Sequence, residues 1–342
     1  MSVALAIRAR DASALPGKRD EDWRWTDLRG LIRQVPDPSA PYAGEPPPGP
    51  FDAIEADAVH ILANGGRAEI DVPAGQLRTV RLRIAAQGAG AHASQVEVRV
   101  GEGATLRLLE SHDSDDASLA HTAFDFHLAA GASVERIVVA DDHPEAVNVT
   151  QAEVRITSGG QFAQNVFTTG ARRQRLETGV HHPGQKAIVR LDGVYLLEGK
   201  AHADLTTIVT HAGRDGRTEQ LTKGVVRDQA RGVFQGRIVV AEGADGTDAR
   251  MGHHALIVSD RAEVDAKPEL EIYADDVSCA HGNTVGALDE DALFYARQRG
   301  IPEAEARAML TEAFVGEVVD RVAFAPARDV AAAWVAARLR GA

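Results

Sequence analysis

The chain has 342 residues, 44% of them hydrophobic and 25% charged, which is enough apolar material for one large core or two modest domains and excludes wholesale disorder. Fifty acidic residues stand against 37 basic ones, a formal charge of -13, and no Lys/Arg run builds a basic face, so nucleic acid is not an expected partner. The one cysteine, Cys279, excludes an internal disulfide; Met1–Asp11 lacks the order of a signal peptide and no run of about 18 apolar residues occurs, so a cytoplasmic chain without a membrane span is expected.

The first predicted element is a short helix over RDEDWRWTDLRGLI, residues 19–32, acidic at its start and apolar at Trp25, Leu28 and Ile32. Seven of the 14 prolines follow between Pro36 and Pro50. Proline fixes φ and removes a backbone donor, so this stretch is extended and closes an N-terminal region over residues 1–50.

Residues 51–286 change texture. Short β-rich runs (TVRLRI, QVEVRV, TLRLLE, FDFHL, VERIVV, AEVRIT and others) alternate with small-residue turns. No helical pattern of 10 to 15 residues interrupts them, which argues against βαβ units. Hairpin signals are sparse, with Asp192-Gly193 and Asp245-Gly246 the main candidates. Gly103, Gly131 and Gly160 are spaced by 28 and 29 residues, and Gly184 and Gly199 follow after 24 and 15, an imperfect period compatible with coils. A sandwich or a β-solenoid remains; the solenoid is favoured because stacked coils need no tight hairpins.

Residues 287–342 read as a helical domain. A first helix is expected from Asp289 to Arg299, ended by Gly300, and a second begins with Pro302 in its first turn. Ala306, Met309, Leu310, Ala313, Phe314 and Val318 form its predicted apolar face, and a third helix runs from Asp329 to Leu339 with Trp334 and Val335 inward.

Chemistry is concentrated in YADDVSCAHGNTVGALDE. Cys279 and His281 lie two apart and share a face if they sit on a strand, making half of a soft-metal site, with Asp275 and Asp276 nearby. Structural zinc takes four protein ligands and iron–sulfur clusters usually take four cysteines, so a second chain must complete any such site. The bland alternative packs Cys279 in the core and uses His281 to cap a turn. The pairs His181-His182 and His253-His254 lack the i, i+4 spacing of a helical zinc site. No GxxxxGK[ST] and no GxSxG occurs, so the chain is neither a P-loop nucleotidase nor a common α/β-hydrolase.

The segment AKPELEIYADDVSCAHGNTVGALDEDALFYARQRGIPEAEARAMLTEAFVGEVV resembles the C-terminal signature of the SufB/SufD family, and GRIVVAEGADGTDARMGHHALIVSDRAEV and EDWRWTDL resemble upstream parts of it. The step CAHGNTVG is similar to the SufD form, where the SufB form carries Glu-His-Glu, and no cysteine lies in the β body where SufB-type chains accept persulfide sulfur. The resemblance implies a mainly β protein: a right-handed parallel β-helix core with a short N-terminal helical region and a C-terminal helical domain. It implies a scaffold subunit, not an enzyme, of a SufBCD-type complex, paired with a SufB-like subunit through the final coils and docking a SufC-like ATPase through its C-terminal helices. Under it, His281, with Cys279 second, would help ligate a transient iron–sulfur cluster shared across that interface. Phe294, Tyr295, Arg299, Gly300, Ile301 and Phe314 would receive the ATPase, and the chain could self-associate as a homodimer when isolated. The competing expectation is a β-solenoid carbohydrate-active enzyme or acyltransferase, for which neither paired acids along one groove nor strict hexapeptide repeats stand out.

Overall fold

In the computed structural model, which describes residues 3–340, 17 strands wind into a parallel β-solenoid of about eight coils, two strands to a coil. The odd strands form one nine-stranded sheet: β1 Ala58–Ala63, β3 Leu77–Ala86, β5 Thr105–Ser114, β7 Ser133–Asp141, β9 Gln161–Thr168, β11 Ile188–Leu197, β13 Arg217–Val226, β15 Asp248–Ile257 and β17 Ser278–Gly286. The even strands form the facing sheet of eight: β2 Gly66–Val72, β4 Ala91–Val100, β6 Leu119–Leu128, β8 Val147–Ile156, β10 Arg173–His182, β12 His202–His211, β14 Arg231–Val240 and β16 Glu263–Ile272. The described strand pairs are all parallel, so neither hairpin candidate forms one: Asp192-Gly193 lies inside β11 and Asp245-Gly246 in the turn between β14 and β15.

Coil length explains the imperfect glycine period. Leu77 registers on Thr105, Thr105 on Ser133 and Ser133 on Gln161, steps of 28 residues; the later partners Ile188, Arg217, Asp248 and Ser278 make steps of 27, 29, 31 and 30. At one corner of each early coil a glycine adopts positive φ, which a Cβ disfavours: Gly75, Gly103, Gly131 and Gly159, so the third member is Gly159 and not Gly160. Each donates its N–H to the coil above, as Gly103 does to the Ala130 carbonyl at 3.0 Å. In the next two coils Lys186 and Asp215 take the same left-handed position, so the glycine signal lapses in the sequence while the geometry continues, until Gly246 resumes it.

Side chains alternate across each strand. The inward rows stack into a core containing Val96, Val98, Leu106, Leu108, Phe126 and Phe162, with Phe126 and Phe162 edge to face at 5.5 Å between centroids. Each such burial stabilises by about 1.5–3 kcal/mol.

The two outer faces are covered by the ends of the chain. The N-terminal segment lies on the eight-stranded sheet, where Val3, Ala6, Leu15 and Leu28 meet Ala91, Leu119 and Val149. Its helices are α1, Val3–Ala9, which sequence patterning missed, and α2, Leu28–Leu31. The single helix expected over residues 19–32 is instead a 3-10 turn at Glu21–Trp23 followed by that one turn of α2, capped by Asp27. The interruption coincides with polar anchoring: Arg175 donates to the Asp22 carbonyl at 2.7 Å and stacks on Trp23, and Thr26 donates to the buried Asp204 at 2.5 Å.

Of the C-terminal helices α3 Glu290–Gln298, α4 Glu303–Val319 and α5 Ala325–Arg340, α4 and α5 lie on the nine-stranded sheet and α3 packs on α4. Pro302 is the N-cap of α4, one position before its first turn. The buried face of α4 is Ala306, Thr311, Val315, Val318 and Val319, so Met309 and Ala313 point to solvent and the predicted face is rotated. Trp334 and Val335 of α5 are buried as expected, against Phe167 and its neighbours. Polar clamps fix the layer: Arg321 Nε to Asp192 at 2.9 Å, and Trp334 Nε1 to Asp141 at 2.9 Å.

Candidate functional site

The last coil is where the stacking stops. In β15 the inward residues Ala249, Met251, His253 and Ala255 are at most 2% exposed. Their register partners in β17 are Cys279, His281, Asn283 and Val285, and no strand covers these in turn. Opposite them, the inward row of β16 is Ala266, Pro268, Leu270 and Ile272, registered on Phe234, Gly236, Ile238 and Val240. Pro268 is tolerated mid-strand because β16 is an edge. The solenoid thus ends in an open mouth with two unpaired strand edges, aliphatic on one side and polar on the other.

Cys279 and His281 do share the inward face of β17, two residues apart on a strand. Cys279 is half-buried against the core of the last coils, and His281 is exposed within the strand, not capping a turn. Burial pushes the Cys279 thiol up; an Ala249 backbone hydrogen bond opposes this and the Asp248 carboxylate adds to it. The chain therefore keeps its thiol protonated, and a metal must displace that proton to bind. Asp275 and Asp276 lie outside the strand, exposed on the turn between β16 and β17. Among the described residues no group of three or more His, Cys, Asp or Glu side chains converges on a metal-sized site. Two donors are half of what an iron–sulfur cluster takes.

The histidine pairs split across the strands. His182 turns inward and packs edge to face on His211 at 4.2 Å, both with pKa values pushed down, to about 4 and about 3, by burial. His253 is also inward and fully buried, held at about 4 by burial, while His254 faces out and meets the Thr284 hydroxyl at 2.7 Å. His253 Nδ1 lies 2.7 Å from the Asn283 amide oxygen and Nε2 lies 2.9 Å from the Tyr195 hydroxyl. Asn283 escaped sequence reading, although the alternation of CAHGNTVG puts it on the same face as Cys279 and His281.

A second surface lies on the helices. Phe294 and Tyr295 of α3 are 63% and 60% exposed, and Arg299 donates to the Tyr295 hydroxyl at 2.8 Å across its ring. Gly300, with φ of 86°, ends the helix, and Ile301 behind it is half-buried. Phe314 is not on this surface: it is half-buried beneath the Lys223 ammonium and packs on the solenoid, so it seats α4.

Fold and site together define a parallel β-solenoid with one uncovered end that carries a thiol and an imidazole on its inward face. The sequence profile described as "SUF system FeS cluster assembly, SufBD core domain" matches residues 82–314, well over half of the chain. The chain belongs to the SufBD family of iron–sulfur cluster assembly proteins. It is 28% identical to the iron–sulfur cluster assembly protein SufD of Escherichia coli, over 90% of this chain and 85% of that protein. It is 26% identical to an iron–sulfur cluster assembly SufBD family protein of Mycobacterium tuberculosis, over 93% and 88%, and 26% identical to the chloroplastic protein ABCI7 of Arabidopsis thaliana, over 69% and 51%. The match favours assembly over the solenoid enzymes that strand patterning alone allowed. No helix among the described residues is long and apolar enough to cross a membrane.

Proposed function

We propose that this chain is a non-catalytic, cytoplasmic scaffold subunit of a SufBCD-type complex, and that a nascent iron–sulfur cluster forms between its last coil and that of a SufB-like partner. The observation that carries the proposal is the uncapped coil, with Cys279 and His281 side by side on its inward face. Solenoids need their terminal repeats covered, and a second solenoid end would satisfy the two open strand edges and the half-buried aliphatic row of β16 together. It would also supply the missing ligands, since this chain offers one imidazole and one protonated thiol. His281 is the primary ligand because it is exposed, and Cys279 the secondary one because its proton must leave first.

The exposed Phe294, Tyr295 and Arg299 are the contact for a SufC-like ATPase, with Gly300 and Ile301 shaping the end of α3. Aromatic and arginine side chains of this kind dominate protein interfaces. Anaerobic co-purification with the partner subunits tests both surfaces. His281→Ala is expected to retain both partners and lose cluster; Tyr295→Ala is expected to lose the ATPase and retain the SufB-like subunit. A wild-type chain that recovers neither partner and only a homodimer would overturn the proposal.

A further inference from the structure

Behind the open face lies a buried chain of polar groups that reaches it at a single residue. Tyr195 in β11 is fully buried, and its ring occupies space left by two glycines: a Cβ on Gly224 or Gly232 would fall 2.0 or 2.6 Å from it. Among the described residues the phenol has one hydrogen-bond partner, His253 Nε2 at 2.9 Å. The His253 ring is clamped flat on Phe234, with centroids 4.7 Å apart and planes 6° apart. Its other nitrogen, Nδ1, lies 2.7 Å from the side-chain amide of Asn283 on the uncapped strand.

The directions of these bonds follow from counting protons. A buried phenol O–H needs an acceptor, and the one nitrogen in reach is Nε2. The neutral imidazole then carries its hydrogen on Nδ1, which donates to the Asn283 carbonyl oxygen. With its oxygen held inward, the amide has its two N–H groups left for the open side. Asn283 is two residues beyond His281 on the same face.

We propose that Tyr195, His253 and Asn283 form an orienting relay that turns the Asn283 amide N–H groups into the open mouth, as donors to an anionic sulfur ligand beside His281. The nature of that ligand rests on the function proposed above; the relay itself rests on the hydrogen bonds within this chain. Donors to cluster sulfurs stabilise the more negative, reduced state and raise the reduction potential. Asn283 is thus a positioned donor, and Tyr195 and His253 are positioning residues that set its orientation.

Two measurements test the relay. In the isolated chain, 15N NMR of the His253 ring is expected to show the Nδ1–H tautomer, and Tyr195→Phe to shift it toward Nε2–H. In that variant no hydroxyl holds Nε2 as an acceptor, so the Nε2–H form gains population, and in that form Nδ1 accepts from the amide, whose oxygen then faces outward. In the anaerobic complex, Asn283→Ala is expected to move the cluster midpoint to a more negative potential, read per cluster bound, with Tyr195→Phe shifting it the same way. An Nε2–H tautomer in the wild-type chain, or identical potentials in wild type and Asn283→Ala, overturns the relay alone. A wild-type complex without a cluster overturns the proposed function and the ligand together, whatever the tautomer shows.

Discussion

The middle of the solenoid and its last coil share one pleat and one register, but the same position means different things in each. Val98 sits between Ile70 and Phe126 on neighbouring coils, all at most 3% exposed. His281 has Met251 beneath it and solvent above. In the middle, the polar side chains around Glu110 find their partners inside the protein. Glu110 accepts two hydrogen bonds from Arg136 at 2.7 Å and meets His112 Nε2 at 2.6 Å. Arg136 also donates to Gln164, which donates to Thr178. At the last coil no further strand closes over Cys279 and His281, and the thiol has only an Ala249 backbone hydrogen bond, so these groups face ligands that the interior could not accommodate.

The strongest way to probe that contrast is acid. His92, His182, His202 and His253, each at about 4, and His211, at about 3, are buried and held below the ordinary imidazole value by desolvation, with charged neighbours adding to it at some of them. The unfolded chain binds protons at these sites below about 6.5, and the fold does not. Their contribution to stability is therefore complete above that pH and is lost as pH falls toward 4. Each proton is worth up to ~1.4 kcal/mol per pH unit, against a total stability of ~5–15 kcal/mol for a typical domain. Urea midpoints are expected to fall steeply between pH 6.5 and 4, with unfolding before pH 4 is reached. Glu110 adds to the loss only later: burial alone would raise its carboxyl, but Arg136 and His112 hold it near 2, so its share disappears below about 4.5. A midpoint unchanged from pH 7 to pH 5 would refute the neutral-histidine interior.

A single interior substitution comes next. Glu110→Ala leaves the Arg136 guanidinium buried without its carboxylate and is expected to cost about 3–5 kcal/mol in urea unfolding. Under the N-terminal segment the effect is smaller. Asp204→Ala removes the acceptor of Thr26 and Arg175, but Arg175 keeps Glu177 at 2.6 Å, so about 2–3 kcal/mol is expected. The distinguishing readout is local: Trp23, stacked on Arg175, should change its fluorescence and the segment before Pro36 should become protease-sensitive, while the solenoid stays folded.

These regions were unequally legible in the sequence. The coil architecture was visible where glycine marks the left-handed corner, at Gly103 and Gly131, and faded where Lys186 and Asp215 take that corner instead. The helices at residues 290–340 were legible through Gly300, Pro302 and their apolar spacing, but the buried face of α4 was misjudged because Thr311 turns inward while Met309 stays out. The N-terminal helix was overread, because acidic residues and tryptophans there serve contacts to β10 and β14 that a local pattern does not contain. At the site, strand alternation was enough to pair Cys279 with His281. The Tyr195–His253–Asn283 chain joins residues 58 and 30 positions apart, and only the stacking of coils brings them together.

The smallest stability effect belongs to the residue with the largest proposed role. His281 is exposed, at the end of the stack, so His281→Ala is expected to change the urea midpoint by no more than about 0.5 kcal/mol. Cys279→Ser should cost somewhat more, because the half-buried sulfur packs on the apolar residues of the last coils. Cluster content of the anaerobic complex should show the reverse order, with His281→Ala losing more than Cys279→Ser, since the imidazole is free and the thiol is held protonated. If His281→Ala instead destabilised the isolated chain as Glu110→Ala does, the last coil would be part of the closed core and the contrast between the two regions would fail. A neutral effect on stability together with lost cluster is the signature of a position that folding leaves open for a ligand.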